Sequence, residues 1–342
     1  MTIAAGIIFV FFILIFSHEL GHFIVAKRCG MKVDRFSLGF GPKLWGFKRG
    51  ETEYVLSLLP LGGYVKIAGM EPGESDLEGG FRRQPWRRRV LVILAGSLSN
   101  YIVAVILFFL IFVIGFYTYD LEETIVGQVR KGSPAEQANI LPGDRIIRVN
   151  ERVVRSWEDL AECIQESQTS PLSLEIQREG RIFKVQVKPL FDPELNKKII
   201  GISPRQVFKR YGPFAALSMG LERTFFITRL ILLSVGWMII GKVPVQLSGP
   251  VGIAKFVGES AKLGLIPLFS LSALLSVNLA VFNLFPIPAL DGGRLLFLLI
   301  ERVRGKALNL EKEEMVHYIG FIILLILILM ITYQDILRLV PK

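Results

Sequence analysis

Residues 3–25 read IAAGIIFVFFILIFSHELGHFIV, an apolar run that is interrupted near its end by three ionisable side chains, His18, Glu19 and His22. The run exceeds the roughly 20 residues that a helix needs to cross the hydrocarbon core of a bilayer. On a helix, residues four apart share a face, so both imidazoles can reach one metal ion with Glu19 beside them. Ionisable side chains within a membrane helix are costly and usually functional, so we expect a metal site inside this first span.

Three further runs are apolar enough to cross a membrane, residues 90–117, 263–290 and 315–334. The whole chain is 51% hydrophobic, which is high for a soluble domain. Residues 215–241 are also apolar, but three charged side chains interrupt them, and we expect an amphipathic helix that lies at the membrane interface. The sequence therefore predicts a multi-pass α-helical membrane protein with four transmembrane helices.

Basic residues crowd the segment between the first two spans, where Lys27 to Arg89 contains 13 Lys or Arg and 7 Asp or Glu. An excess of Lys and Arg next to membrane helices marks the cytoplasmic side. Because this basic cluster adjoins a membrane helix, we expect membrane lipid as its partner and no nucleic acid. The segment after the second span is then extracytoplasmic.

Residues 119–190 differ from the rest of the chain, since short β-type runs alternate there with turn signals and two short helical patterns. Residues 133–150, SPAEQANILPGDRIIRVN, resemble the PDZ family in its bacterial arrangement, in which this helix and strand come early. The resemblance implies an inserted extracytoplasmic α+β domain with a possible peptide ligand, which PDZ domains add to a sheet edge. A domain that only blocks access sterically is the alternative.

A catalytic zinc ion usually takes three protein ligands and leaves the fourth position for water. The third ligand should be a carboxylate or a histidine at the depth of His18 and His22, and Asp291 and His317 are the two candidates. If the first three spans alternate in direction, Asp291 arrives at the same membrane face as the two histidines. His317 also begins near that face, so depth alone does not exclude it, although we favour Asp291.

The motif His18-Glu19-x-x-His22, the PDZ-like segment and the string NLFPIPALDGG of residues 283–293 together resemble the site-2 protease family, in its bacterial RseP-like branch. The resemblance implies an intramembrane zinc endopeptidase of the bacterial inner membrane, with its active site toward the cytoplasm. It implies that Zn²⁺ is held by His18, His22 and Asp291, and that Glu19 is the general base. Its substrates would be single-span membrane proteins, either anti-sigma factors or remnant signal peptides.

Two groups of residues are expected to hold the substrate. Residues 53–69 contain two β-type runs, and the matching region of the resembled family forms a membrane-associated β-hairpin that offers an edge to the substrate. Asn278 and Asn283 lie in the third span, where the resemblance suggests contacts with the substrate backbone. A purely structural hairpin and helix packing by the two amides are the alternatives. The expected contact residues of the hairpin are Gly62, Gly63, Tyr64, Val65 and Lys66.

The predicted organisation has four parts: residues 1–118 with two spans, the PDZ domain 119–190, an extracytoplasmic linker with the interfacial helix in 191–262, and residues 263–342 with two spans. Two other functions stay open. A membrane-anchored PDZ adaptor with a structural zinc site would bind substrate without turnover, but a structural site has no need of Glu19. A metal transporter would need polar groups along several spans, whereas here they gather at one end.

Overall fold

The structure is a computed structural model that describes residues 2–70, 77–167, 169–193, 196–244 and 248–339, with only the backbone described at 59–61. The chain forms two compact units. The first unit combines Met1–Ile114 with Tyr211–Lys342, and the second unit is Gly115–Arg210.

The first unit begins with helix α1 (Ile3–Arg28), strands β1 (Val33–Arg49) and β2 (Thr52–Ile67), and helix α2 (Trp86–Ile114). The second unit contains β3 (Phe116–Tyr119), β4 (Val126–Val129), α3 (Pro134–Gln137), β5 (Arg145–Val149), β6 (Arg152–Val153), α4 (Trp157–Glu166), β7 (Leu172–Arg178), β8 (Arg181–Val187), β9 (Leu190–Asp192), β10 (Lys197–Ile199), β11 (Ile202–Pro204) and β12 (Gln206–Lys209). The first unit resumes with α5 (Pro213–Ile239), α6 (Pro250–Leu263), α7 (Leu265–Asn283), α8 (Asp291–Arg304) and α9 (Leu310–Leu339).

Four helices among the described residues are long and apolar enough to cross a membrane, namely α1, α2, α7 and α9. They coincide with the four predicted spans. Helices α1 and α2 are antiparallel, because Ser17 hydrogen-bonds to Asn100 while His22 lies against the carbonyl of Val92, eight residues earlier in α2. The two helices that open the chain therefore pack along each other in opposite directions.

The third span runs in the same direction as the first. Helix α6 packs at the beginning of α1, where Gly258 lies against Ile3. Helix α7 then follows α1 until Asn283, its last residue, reaches His18. The chain therefore arrives at the histidines when α8 begins, which is the alternation of directions that the sequence predicts.

Helix α5 covers most of residues 215–241, for which the sequence predicts an interfacial helix. It packs antiparallel along the middle of α2, with Gly220 against Val105 and Phe109, and with Thr228 near Tyr101. Small residues on one face let α5 approach this candidate span closely, and the interfacial placement of residues 215–241 stays a prediction. The buried residues of that face are Ala216, Gly220, Thr224 and Ile227.

Strands β1 and β2 are long and bent, so that the two strands give a sheet of four rows. Residues 33–38 form an inner row that pairs with residues 63–67 on one side and with residues 53–56 on the other. The second half of β1 then pairs with the outer side of residues 53–56. The predicted hairpin of residues 53–69 is therefore wrong, because its two β-type runs do not pair with each other but lie on either side of residues 33–38.

Charged side chains tie the rows of this sheet together. Glu53 accepts hydrogen bonds from Lys43, at 2.5 Å, and from Arg35, at 2.9 Å, which belong to the two halves of β1. These hydrogen bonds lower the pKa of the Glu53 carboxyl. Residues 63–67 form one edge of the sheet, and within the described part of the chain no further strand pairs with that edge.

The second unit has an antiparallel sheet in the order β6-β5-β7-β8 and three strand pairs, β4 with β11, β3 with β12, and β9 with β10. Ser133 caps α3, and Ser156 caps α4 together with Asp159 in a capping box. The strands and α4 enclose one hydrophobic core, whose fully buried side chains include Ile140, Ile146, Leu160, Leu172, Leu174 and Ile176.

The second unit is longer than the predicted domain of residues 119–190. Strands β11 and β12 pair with β4 and β3, so residues up to Arg210 complete the unit instead of forming part of a linker. A cavity of about 550 Å³ lies between α4 and β11 and is lined by Trp157, Leu160, Ile164 and Ile202. Because β11 pairs only with β4 among the described residues, its other edge is open beside this cavity. A peptide ligand for this edge stays a prediction.

Candidate metal centre

Three potential ligand atoms from two distant parts of the chain converge in the first unit. The Nε2 atoms of His18 and His22 are 3.2 Å apart. Each of them is 3.2 Å from Oδ2 of Asp291. The histidines are one helical turn apart in α1, and Asp291 is the first residue of α8. Among the described residues this is the group of His, Cys, Asp and Glu side chains that can hold a metal ion.

The donor set fits a tetrahedral zinc ion. Zinc bonds of about 2.0–2.1 Å in tetrahedral geometry would place neighbouring ligand atoms about 3.3 Å apart, close to the observed triangle. Oδ2 of Asp291 is buried and accepts no hydrogen bond within the described part of the chain, which is costly unless a cation neutralises it. Two imidazoles and one carboxylate also leave a fourth position for water, as catalytic zinc sites do.

The backbone of α2 orients the second imidazole. Nδ1 of His22 lies 2.8 Å from the carbonyl oxygen of Val92, which can only accept a hydrogen bond. The proton of the neutral ring is therefore on Nδ1, and the lone pair of Nε2 points toward Asp291 and His18. Metal-binding histidines usually have such a partner on their second nitrogen.

The first imidazole has a polar neighbour on its outer side. The Asn100 amide is 3.5 Å from Nδ1 of His18 and accepts a hydrogen bond from Ser17, at 2.8 Å. Ser276 of α7 donates to the backbone carbonyl of Asn100, at 2.8 Å, so one buried network joins α1, α2 and α7 beside the ligands. The Asn100 side chain therefore lies next to a proposed ligand, His18.

A tight loop sets the direction of Asp291. Helix α7 ends at Asn283, and the chain turns through residues 284–290 before α8 begins at Asp291. A Cβ atom at Gly292 would collide with the backbone of this loop, and one at Gly293 would lie 3.0 Å from the carbonyl carbon of Ile287. The two glycines after Asp291 thus let the start of α8 pack directly on the loop.

His317 does not join the ligand triangle. Its Nδ1 accepts a hydrogen bond from the backbone N–H of Ala289, at 2.9 Å, and its ring packs edge-on against Phe297 with centroids 5.3 Å apart. The geometry therefore favours Asp291 over His317 as the third ligand.

Glu19 lies between the ligand triangle and the edge of the sheet. It is half-buried on α1, next to His18 in the chain. A Cβ atom at Gly63 would be 2.9 Å from Cγ of Glu19, so the backbone of β2 passes directly over this side chain. The edge strand formed by residues 63–67 is therefore adjacent to the carboxylate that could handle protons.

The remaining hairpin residues occupy positions along the same edge. Tyr64 accepts a hydrogen bond from Arg35, at 3.2 Å, and stacks on Phe40. Val65 packs against the cluster of buried side chains between the sheet and α1, α2 and α8. Gly62 precedes Gly63 on the strand, and Lys66 pairs with Arg35 in the ladder.

The two amides of α7 differ in position. Nδ2 of Asn283 is 3.4 Å from Nε2 of His18, so this buried amide borders the ligand triangle. Asn278 donates to the carbonyl of Leu274 in its own helix, at 3.2 Å. It lies more than one turn, about 7.5 Å of rise, before Asn283. The structure therefore brings Asn283 to the site and leaves Asn278 away from it.

Comparison with known proteins identifies the family. Residues 6–327 match the model of peptidase family M50. The chain belongs to peptidase family M50. The zinc metalloprotease RasP of Geobacillus kaustophilus is 33% identical to this M50 peptidase over 96% of each chain. The regulator of sigma-W protease RasP of Bacillus subtilis is 30% identical over 99% of each chain.

A solved structure also matches part of this M50 peptidase. The PDZ domain of an SdrC-like protein from Listeria monocytogenes covers 25% of the chain, with 18% identity and a TM-score of 0.22. A TM-score this low adds nothing to the description of the second unit given above.

Several residues of the M50 site are not visible from the HExxH pattern. Gly96 lies against both imidazoles, since a Cβ atom there would collide with Nε2 of His22 and lie 2.7 Å from Cε1 of His18. Val92 contributes only its backbone carbonyl, so its side-chain type carries no signal. The small-residue string around Gly96 in α2 indicates close helix packing, but it does not show which side chains approach.

Replacing Gly96 with Ala is expected to weaken the affinity of the purified protein for zinc by about tenfold or more, because the new methyl group displaces both imidazoles. The affinity is measured by competition with a chromophoric chelator. Ser97→Ala is the control at the next position of α2, since Ser97 Oγ is buried without a hydrogen-bond partner among the described residues. Equal zinc affinities of the two variants would contradict the described contact of Gly96.

Proposed function

We propose that this M50 peptidase is an intramembrane zinc endopeptidase of the site-2 type that cleaves single-span membrane proteins. The observation that carries the proposal is the triangle of His18, His22 and Asp291, with sides of 3.2 Å, beside Glu19. The triangle lies within the unit that holds the four apolar helices. Zinc is the proposed cofactor because the donor set and its spacing suit that ion.

The chemistry follows from the residues around the proposed ion. Bound at the triangle, zinc would lower the pKa of a water molecule and polarise the carbonyl of the scissile peptide. Glu19 is then the group that takes a proton from the attacking water and gives it to the leaving amine. Asn283 borders the triangle, 3.4 Å from His18, and its N–H can donate to the oxygen of the scissile carbonyl.

The edge strand explains how a membrane helix could become a substrate. A helical segment keeps its carbonyl groups in internal hydrogen bonds, and within lipid those bonds must be replaced when the segment is extended. Residues 63–67 form an edge strand of the sheet, and Gly63 lies over Glu19. A substrate added as a further strand would pass close to the carboxylate.

Anti-sigma factors are the substrate class that the relatives favour, because one of them is named a regulator of sigma-W protease. Remnant signal peptides are the second class. We place the enzyme in the bacterial inner membrane, with Glu19 toward the cytoplasm and the second unit outside, since the segment after α1 is rich in Lys and Arg.

Replacing Glu19 with Gln is expected to reduce cleavage of a tagged single-span substrate by roughly 100-fold or more, the usual contribution of a general base. Zinc content should stay near that of the unchanged protein, because Glu19 is not a proposed ligand. Cleavage is followed by gel in reconstituted vesicles, and bound zinc by elemental analysis. Normal cleavage by the variant would contradict the assigned role.

The inactive Glu19→Gln protein also allows the substrate path to be mapped. A photo-crosslinking residue at position 64 should capture the bound substrate, while one at the exposed Ile239 of α5 serves as the matched control. Equal crosslinking from both positions would contradict strand addition at residues 63–67.

Sidedness can be measured with single cysteines in a background without Cys29 and Cys163. Glu51→Cys lies at the exposed turn between β1 and β2, and Glu122→Cys is exposed in the second unit. A membrane-impermeant maleimide should label position 122 in intact cells and position 51 only after lysis. Labelling of position 51 in intact cells would reverse the proposed topology.

A further inference from the structure

Helix α9 contacts the loop before Asp291 at two points on one face. Nδ1 of His317 accepts the hydrogen bond from the N–H of Ala289, at 2.9 Å. One turn later, Gly320 packs so closely on Pro288 that a Cβ atom would be 2.7 Å from the Pro288 carbonyl oxygen. Both contacts fall on the residues that immediately precede the start of α8.

The loop has an unfavourable backbone conformation at the point where His317 holds it. Ala289 has a φ of 79°, in the left-handed region that side chains other than glycine rarely adopt. Such a conformation persists only where surrounding contacts enforce it. Because Ala289 lies two residues before Asp291, a relaxation of its φ would rotate the start of α8 and redirect the carboxylate.

The orientation of the His317 ring is set by its neighbours. Nδ1 accepts from an amide, so in the neutral ring the proton is on Nε2. The ring packs between the loop and Phe297, a residue of the helix that begins with Asp291. His317 thus touches both the loop before the carboxylate and the helix after it, but not the ligand atoms.

We propose that His317 is a positioning residue, which aims Asp291 at the two histidines of α1 by holding Ala289 in its left-handed conformation. The inference rests on the proposed role of Asp291 as the third zinc ligand. It assigns to α9, the last helix of the chain, a direct part in the geometry of the site. His317 needs only an acceptor at the position of Nδ1 for this role.

The test compares replacements of His317 that keep or lose this acceptor. The amide oxygen of Asn can occupy the position of Nδ1, whereas that of Gln falls nearer the position of Nε2. His317→Asn should retain zinc affinity within about threefold, and His317→Gln and His317→Leu should lose about tenfold or more, a usual effect for groups that orient ligands. Zinc affinity is measured by competition with a chelator, and cleavage at saturating zinc is measured in parallel.

Two outcomes would overturn the proposal: a zinc affinity of His317→Leu equal to that of the unchanged protein, or an equal loss in His317→Asn and His317→Leu. Asp291→Asn separates this failure from that of the proposed function. If Asp291→Asn leaves zinc affinity unchanged, the ligand assignment itself fails. If it weakens zinc binding while His317→Leu does not, only the positioning role fails.

A second variant keeps the test decisive if changes at 317 disturb folding. Glycine adopts a φ of 79° without a steric penalty. Adding Ala289→Gly to His317→Leu should therefore recover part of the lost zinc affinity, and no recovery would overturn the proposal. Tyr318→Leu is the control on the same helix, since Tyr318 is 67% exposed, and it should match the unchanged protein in zinc affinity and thermal unfolding.

Discussion

The close approach of α1 to α2 is the constraint on which the site depends. Gly21 of α1 lies directly on the backbone of Ala95, and Gly96 of α2 lies directly on the imidazoles. Any side chain at either glycine would push the helices apart. At the observed separation, the Val92 carbonyl reaches His22. Helix α2 therefore orients the two imidazoles before any metal binds. The position of α8 then decides whether Asp291 joins them as the third ligand.

Most buried polar groups near the site are hydrogen-bonded to one another. Burying them within an apolar unit therefore costs little free energy. Ser17, Asn100 and Ser276 connect three helices through hydrogen bonds beside His18. Such hydrogen bonds hold membrane helices together, because apolar side chains pack about equally well against lipid and against another helix. The orphaned oxygen of Asp291 is the exception among the proposed ligands. Because this oxygen has no hydrogen-bond partner among the described residues, we expect a cation beside it. Because a strand edge lies next to the site, we expect an extended peptide there.

The pairing of His18 with His22 could be predicted from spacing alone, because a helix places residues four apart on one face. The alternating directions of three spans placed Asp291 at the membrane face of the two histidines, but they did not exclude His317. The sheet could not be predicted, because the inner row of residues 33–38 pairs with two runs that are separated by several residues. The end of the second unit was missed because β9 to β12 are three or four residues long. The contact that His317 makes could not be predicted, since a ring that accepts one backbone N–H leaves no pattern in a sequence.

X-ray absorption at the zinc K-edge of the purified protein identifies the ligands of the metal ion. We expect two imidazole nitrogens and light oxygen ligands at about 2.0–2.2 Å, without sulfur. The chain has three histidines, so a third imidazole in the spectrum would have to be His317. A spectrum with three imidazoles, with sulfur ligands, or from a protein that retains no zinc would contradict the site formed by His18, His22 and Asp291.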